Sequence, residues 1–315
     1  MVHQKEISIE EEEILRESIA FYKEVYAYFK SIDLSELSDN EASELLQYMH
    51  KVFNTEIFVQ NNVRFESVFR VSAVSEAFLA KGKVRDLNFL KEPPLKLIKD
   101  RGVHGRANLP NSTVFYCAIS PGIALFETKP KIGDRIIIGQ WTHKADEPFV
   151  MYPITNSKNI RTKELDKATS AFQDRMEFNH PLFAEILDLY FDFVSAEFLK
   201  DMEVLSEKKY EYLFSSYFAD MVLKNTFKPL EDPLEPLKHY DAIIYPSIAS
   251  KYATENLAVV PSSVKKLKPE SFTDSTVLTL NDSGQTLYGY RLPFTLEINR
   301  TSYWVEDDLV MWDDD

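Results

Sequence analysis

The stretch Val114-Phe115-Tyr116-Cys117-Ala118-Ile119-Ser120-Pro121-Gly122-Ile123-Ala124-Leu125-Phe126-Glu127 decides how this chain is read. Its first six residues are aromatic, β-branched or small, the composition of a buried strand. Ser120 and Pro121 then suit the N-cap and first position of a helix. A serine oxygen can accept one of the orphan amides there, and proline has no amide to leave unpaired. Ala124, Leu125 and Glu127 continue that helix. Outward from this unit, Val68-Phe69-Arg70-Val71 and Arg135-Ile136-Ile137-Ile138-Gly139-Gln140-Trp141 read as flanking strands, as do Ala242–Tyr245, Leu257–Val260 and Val277–Leu280. The turn Asn281-Asp282-Ser283-Gly284 leads into a hairpin over 286–291.

Between the two groups of strands, residues 162–224 form a helical block. Leu182, Ile186, Leu189, Phe193 and Phe198 mark one stripe, and Tyr212, Phe214, Tyr217, Phe218 and Met221 another; both are read as core. At the N-terminus, Leu15, Ile19, Tyr22, Tyr26 and Phe29 repeat every three or four residues behind the acidic turn Glu10–Glu13. Ser38-Asp39-Asn40-Glu41 has capping-box spacing ahead of Ala42, Leu45, Leu46, Met49 and Phe53. Strands on both sides of a helical block predict an α+β protein with a mixed or antiparallel sheet. Three sequence regions result: an N-terminal helical extension over 1–60, a central domain over 66–270, and a C-terminal β-hairpin with an acidic tail over 271–315, expected to pack on the central domain with its end after Trp304 frayed.

An apolar fraction of 44% with 13% aromatics supplies a sizeable core. The start, MVHQKEISIEEEE, has neither the basic nor the apolar region of a signal peptide, and no apolar run reaches the roughly 20 residues of a membrane helix. Cys117 is the single cysteine, so no internal disulfide or paired-cysteine metal site can form. These features lead us to expect a cytoplasmic protein that does not engage a membrane. A net charge of −14 disfavours direct nucleic-acid binding. The charge is uneven: residues 1–50 carry −8, whereas residues 81–106 carry +5. That basic island reads chiefly as a solvated loop, with His104 an exposed loop histidine. No HExxH or paired-histidine spacing, Walker A or GxGxxG occurs, so no metal is expected.

The blocks Gly105-Arg106-Ala107-Asn108, Tyr116 to Glu127, and Tyr240-Asp241-Ala-Ile-Ile-Tyr245-Pro246-Ser247 with Asn256-Leu-Ala-Val-Val-Pro261 occur in an order and spacing that resemble the RES domain family, over about residues 66–270. Phe69-Arg70 is similar to a pair near that domain's start. Phe126 stands where smaller aliphatics are common in the family, and the insert between the blocks is long. The resemblance implies an ADP-ribosyltransferase-like fold and an enzyme that consumes NAD, acting as the toxin of a toxin–antitoxin pair. NAD would be its substrate, with inorganic phosphate or water as acceptor. Residue by residue, it assigns Arg106, Glu127 and Ser247 to the site, with Tyr116 beside them and Arg70 as a further arginine.

These residue types suit that chemistry. Nicotinamide leaves NAD as a neutral ring, so the barrier lies in the positive charge growing on the ribose; a fixed carboxylate such as Glu127 stabilises it. A guanidinium forks onto phosphate oxygens, which suits Arg106 and Arg70. Tyr116 can stack on nicotinamide or ribose, and Ser247 can bind phosphate or hold Glu127. Ser247 lacks the flanking glycines of a nucleophile elbow. Ser120 reads as a helix cap rather than a ligand. Two alternatives stay open: transfer of ADP-ribose to a protein, and a non-catalytic partner-binding protein of the same fold. The expected partner is a separate antitoxin, and homo-oligomerisation is left open.

Overall fold

Ser8 and Ser38 each open a helix through a reciprocal capping box with the glutamate three residues on. The helices are α1 (Ile9–Ser31) and α2 (Asp39–Val52). The computed structural model describes residues 7–53, 61–63 (backbone), 65–75, 78–144, 149–154, 165, 170, 180–200, 209–224, 239–248 and 254–314. Much of the expected helical block, at 162–164, 166–169, 171–179 and 201–208, lies outside the described residues. The remaining helices are α3 (Leu95–Arg101), α4 (Pro121–Thr128), α5 (Pro181–Phe198) and α6 (Leu213–Lys224).

The chain divides into two compact units that interleave in sequence. The first comprises Met1–Asn61, Gly102–Pro110 and Tyr152–Tyr240; the second comprises Asn62–Arg101, Asn111–Met151 and Asp241–Asp315. The helical block thus groups with the N-terminal helices, and the C-terminal region groups with the strands.

The first unit is built on aromatic packing among α1, α2, α5 and α6. Tyr26 stacks on Phe193 at 4.8 Å between ring centroids, and Phe29 meets Phe214 at 5.0 Å. Such pairs add roughly 0.5–1.5 kcal/mol each beyond the area they bury. On α5 the buried stripe is Leu187, Tyr190, Phe191, Val194 and Phe198, with Phe193 beside it. Leu182, Ile186 and Leu189 are only partly buried, so the expected stripe is rotated around the helix.

The second unit holds a nine-stranded sheet, apart from Asn61, Tyr152 and Pro153 at the ends of two of its strands. Its strands are β1 (Asn61–Val63), β2 (Ser67–Ala73), β3 (Phe115–Ala118), β4 (Arg135–His143), β5 (Phe149–Pro153), β6 (Ala242–Pro246), β7 (Glu255–Val259), β8 (Leu267–Thr279) and β11 (Thr295–Ser302), in the order β1-β5-β6-β7-β3-β2-β4-β8-β11. The pairings among β6, β7, β3, β2, β4, β8 and β11 are antiparallel. Alternation places Phe69, Ala118 and Ile138 on one face, where α4 covers them through Ile123, Ala124 and Leu125. The opposite face carries Arg70, Phe115, Cys117 and Trp141.

Two expectations for the C-terminus need correction. The hairpin over 286–291 exists, as β9 (Thr286–Leu287) and β10 (Tyr290–Arg291), but β8 pairs with β11 beyond it. The acidic tail is folded rather than frayed. It forms a hairpin of β12 (Trp304–Glu306) and β13 (Leu309–Met311), and buries Trp312, whose Nε1 donates to Val84 O at 2.9 Å. Charge contributes: Lys83 pairs with Asp314 at 2.6 Å and Lys91 with Asp308 at 3.4 Å, so part of the basic island neutralises the tail. No described helix is long and apolar enough to cross a membrane.

Candidate active site

Strand β3 runs into α4 as its sequence dictates. Ser120 caps the helix by accepting from Ile123 N at 3.3 Å, and Pro121 occupies its first position. The helix lasts only eight residues before Lys129 turns it off in the left-handed conformation, at φ 48°. Glu127 therefore sits in the last turn, not an early one. The exposed carbonyls there disfavour a negative charge, so the helix dipole does not account for this carboxylate.

Two side chains from the sheet do. Ser247 Oγ donates to Glu127 Oε1 at 2.7 Å, and Asn256 Nδ2 donates to the same oxygen at 2.7 Å. Both donors are buried, whereas Glu127 is exposed. The sheet register makes the arrangement. Asn256 in β7 pairs with Tyr245 in β6 on one side and with Ala118 in β3 on the other. Ser247 lies two residues past Tyr245, fixed by its amide donating to Thr254 O at 2.8 Å. Ser247, Asn256 and Ala118 thus share the face that α4 covers. Tyr116, two residues before Ala118, shares it too and is partly buried.

Arg70 lies elsewhere. Its place opposite Cys117 puts its side chain on the other face of the sheet, over the Phe115 ring at 5.3 Å. Its Nη1 donates to Tyr116 O at 2.9 Å. Loss of hydration pulls its pKa down to about 10. Arg70 holds the backbone beneath Tyr116 and does not join Glu127. Burial pushes the Cys117 thiol up, so it is no nucleophile.

Arg106 belongs to the first unit. Its guanidinium donates to Phe198 O, to Lys200 O at 3.3 Å and to the Tyr212 hydroxyl at 3.1 Å, and lies over the Tyr212 ring at 5.0 Å. It serves the carbonyl end of α5, where a cation and its donors are favourable. His104, expected to be exposed, is buried, with Nδ1 2.7 Å from Ser216 Oγ. Burial, reinforced by Lys209, drives its pKa down to about 4.

The structure therefore brings Glu127 and Ser247 together, sets Tyr116 on their face, and gives Arg70 and Arg106 other partners. Asn256 was overlooked as a site residue. Its signal is present, since it opens the quoted block ending at Pro261, but the resemblance assigns it no role. Among the described residues, no group of three or more His, Cys, Asp or Glu side chains could hold a metal. No sequence-family model, no curated protein and no solved structure matches the chain.

Proposed function

We propose that this chain cleaves the nicotinamide–ribose bond of NAD on an ADP-ribosyltransferase-like scaffold, with Glu127 as the carboxylate beside the ribose. The observation that carries the reading is the two-donor clamp on Glu127. Both hydrogen bonds fall on Oε1. They hold the carboxylate rigid and direct Oε2 toward ribose hydroxyls and the charge that develops at the anomeric carbon. A carboxylate held in advance needs no reorganisation during the reaction.

The bond between the anomeric carbon and the nicotinamide nitrogen breaks, and its electron pair goes to the ring, which leaves neutral. The ribosyl cation, stabilised by Glu127, is captured by phosphate to give ADP-ribose 1″-phosphate. With water as acceptor, loss of a proton gives ADP-ribose. The resemblance to RES domains supports this chemistry and gives Tyr116 the stacking role and Arg106 the anion-binding role. It also supports the reading of a toxin restrained by a separate inhibitor.

The test is incubation of pure protein with NAD, with and without phosphate, and chromatography of the products. Nicotinamide release with ADP-ribose 1″-phosphate supports phosphorolysis, and ADP-ribose supports hydrolysis. Label on a protein band without soluble ADP-ribose favours transfer. Intact NAD under every condition overturns the enzymatic reading and leaves a partner-binding protein.

A further inference from the structure

Glu127 rides on α4, a helix of eight residues. A helix so short has no stability of its own, so the direction of its side chains is set by what it packs against. Ile123, Ala124 and Leu125 lie in one buried cluster with Leu292, Phe294 and Leu296, so the segment joining β10 to β11 is part of the bed of the helix. That segment meets α4 at two positions four residues apart, hence along one stripe. At Gly122 the approach is close: a β-carbon there would lie 3.3 Å from Arg291 O and 3.3 Å from Pro293 Cδ. At Phe126 the ring packs edge-to-face on Phe294, with centroids 5.4 Å apart and planes at 71°. Phe126 is exposed and Phe294 is buried, so Phe294 is the fixed member of the pair. The segment is itself held on both sides of Phe294. Gln285 O accepts from Leu292 N at 2.8 Å, and the Gln285 side chain accepts from Leu296 N at 2.8 Å and donates to Leu296 O at 3.0 Å.

We infer that Phe294 is a positioning residue: through Phe126 it fixes the last turn of α4, and with it the angle at which Glu127 meets Ser247 and Asn256. Neighbouring residues stand about 100° apart around a helix. Phe294 thus holds one flank of that turn, while Ser247 and Asn256 hold the carboxylate on the next. The two hydrogen bonds alone leave the helix free to roll about its axis, and the ring contact removes that freedom. It also accounts for an aromatic at position 126, because a smaller aliphatic has no ring to set against Phe294. The consequence for catalysis rests on the proposed role of Glu127; the positioning does not.

The test is a pair of double-variant cycles on the full chain. Phe294→Leu keeps apolar bulk and removes the ring. It lowers kcat for NAD cleavage about tenfold, with KM within about twofold of the parent, at a temperature where the variant is folded. Phe126→Leu does the same, and the two together lose no more than either alone. Phe294→Tyr, which keeps the ring, retains most of the parent rate. The second cycle needs no activity: urea midpoints of the parent, Ser247→Ala, Phe294→Leu and the pair. The shift caused by Ser247→Ala shrinks by about half or more in the Phe294→Leu background, because the carboxylate no longer rests on the serine. A parent kcat in Phe294→Leu, or midpoint shifts that simply add, overturns the inference. A protein that leaves NAD intact but shows the coupled midpoints loses the proposed function and keeps Phe294 as the residue that sets Glu127.

Discussion

Ser247 Oγ donates to Glu127 Oε1 at 2.7 Å across 120 residues of chain. The carboxylate stands at the unfavourable end of a short helix, and Ser247 with Asn256 offsets what the helix does not provide. Glu127→Gln keeps the shape and removes the charge, so under the proposed function it should lower kcat for NAD cleavage by about 10²- to 10³-fold with little change in KM or thermal midpoint. Ser247→Ala and Asn256→Ala each free the carboxylate to swing and should cost about tenfold. The double variant should fall short of the product of the two, because one oxygen receives both bonds. Steady-state kinetics checks each; a Glu127→Gln enzyme with the parent rate would remove Glu127 from the mechanism.

Asp274 holds the outer strands together. It is fully buried on β8, receives Arg135 Nε from β4 at 2.9 Å, and lies 3.3 Å from Arg300 of β11. Asp274→Ala leaves two guanidinium groups facing a site without a carboxylate, at a cost of about 3–5 kcal/mol. Asp274→Asn, which keeps an acceptor oxygen, should cost less. Urea unfolding of the two variants supplies the comparison, and equal midpoints would show that charge pairing plays no part.

His104 should make stability depend on pH. Its folded pKa, about 4, lies below its unfolded value of about 6.5, so the unfolded chain takes up the proton first. Its contribution is fully present above about pH 6.5 and is lost as pH falls toward 4, at most roughly 3 kcal/mol. His104→Gln retains a partner for Ser216 and cannot titrate. The difference in unfolding free energy between parent and variant should shrink from pH 7 to pH 4, and a constant difference would contradict the shift.

Local signals carried most of the fold. The capping box at Ser38, the acidic turn Glu10–Glu13, the Ser120-Pro121 helix start and the β-branched run Ile136–Ile138 each act within a few residues, and each element forms where its sequence places it. What failed was tertiary. The sequence carries no mark that Trp312 would insert beside Val84, so the acidic residues around it suggested a frayed end. The rotation of the α5 stripe is marked by Glu185, Asp188 and Asp192, which fall at spacings of three and four on the face opposite the core, and a stripe drawn from apolar positions alone misses it. Glu127 and Ser247 were legible through resemblance alone, and Asn256 needed the register of β7.

Trp312 measures how much that tail contributes. Its ring is 1% exposed, its Nε1 is hydrogen-bonded, and the Arg300 guanidinium lies 6.0 Å from its centroid. Trp312→Ala should destabilise the second unit by about 3–5 kcal/mol through the cavity it leaves. Lys83→Ala should lose under about 1 kcal/mol, because its partner Asp314 is half exposed. A Trp312→Ala protein as stable as the parent would mean that the tail is dispensable after all.

Arg106 sets two roles against each other. Its donors are occupied at the carbonyl end of α5, whereas the proposed function asks it to bind an anion. Losing charged hydrogen bonds and the stacking on Tyr212, Arg106→Ala should lower stability by roughly 2 kcal/mol. Arg106→Lys keeps the charge without the fork and should recover only part of that. If the guanidinium also reaches substrate, KM for NAD or phosphate rises several-fold in Arg106→Lys even at temperatures where that variant is fully folded. Reduced stability with the parent KM would make Arg106 a helix cap alone and leave the anion to other groups; a raised KM with parent stability would reverse that assignment.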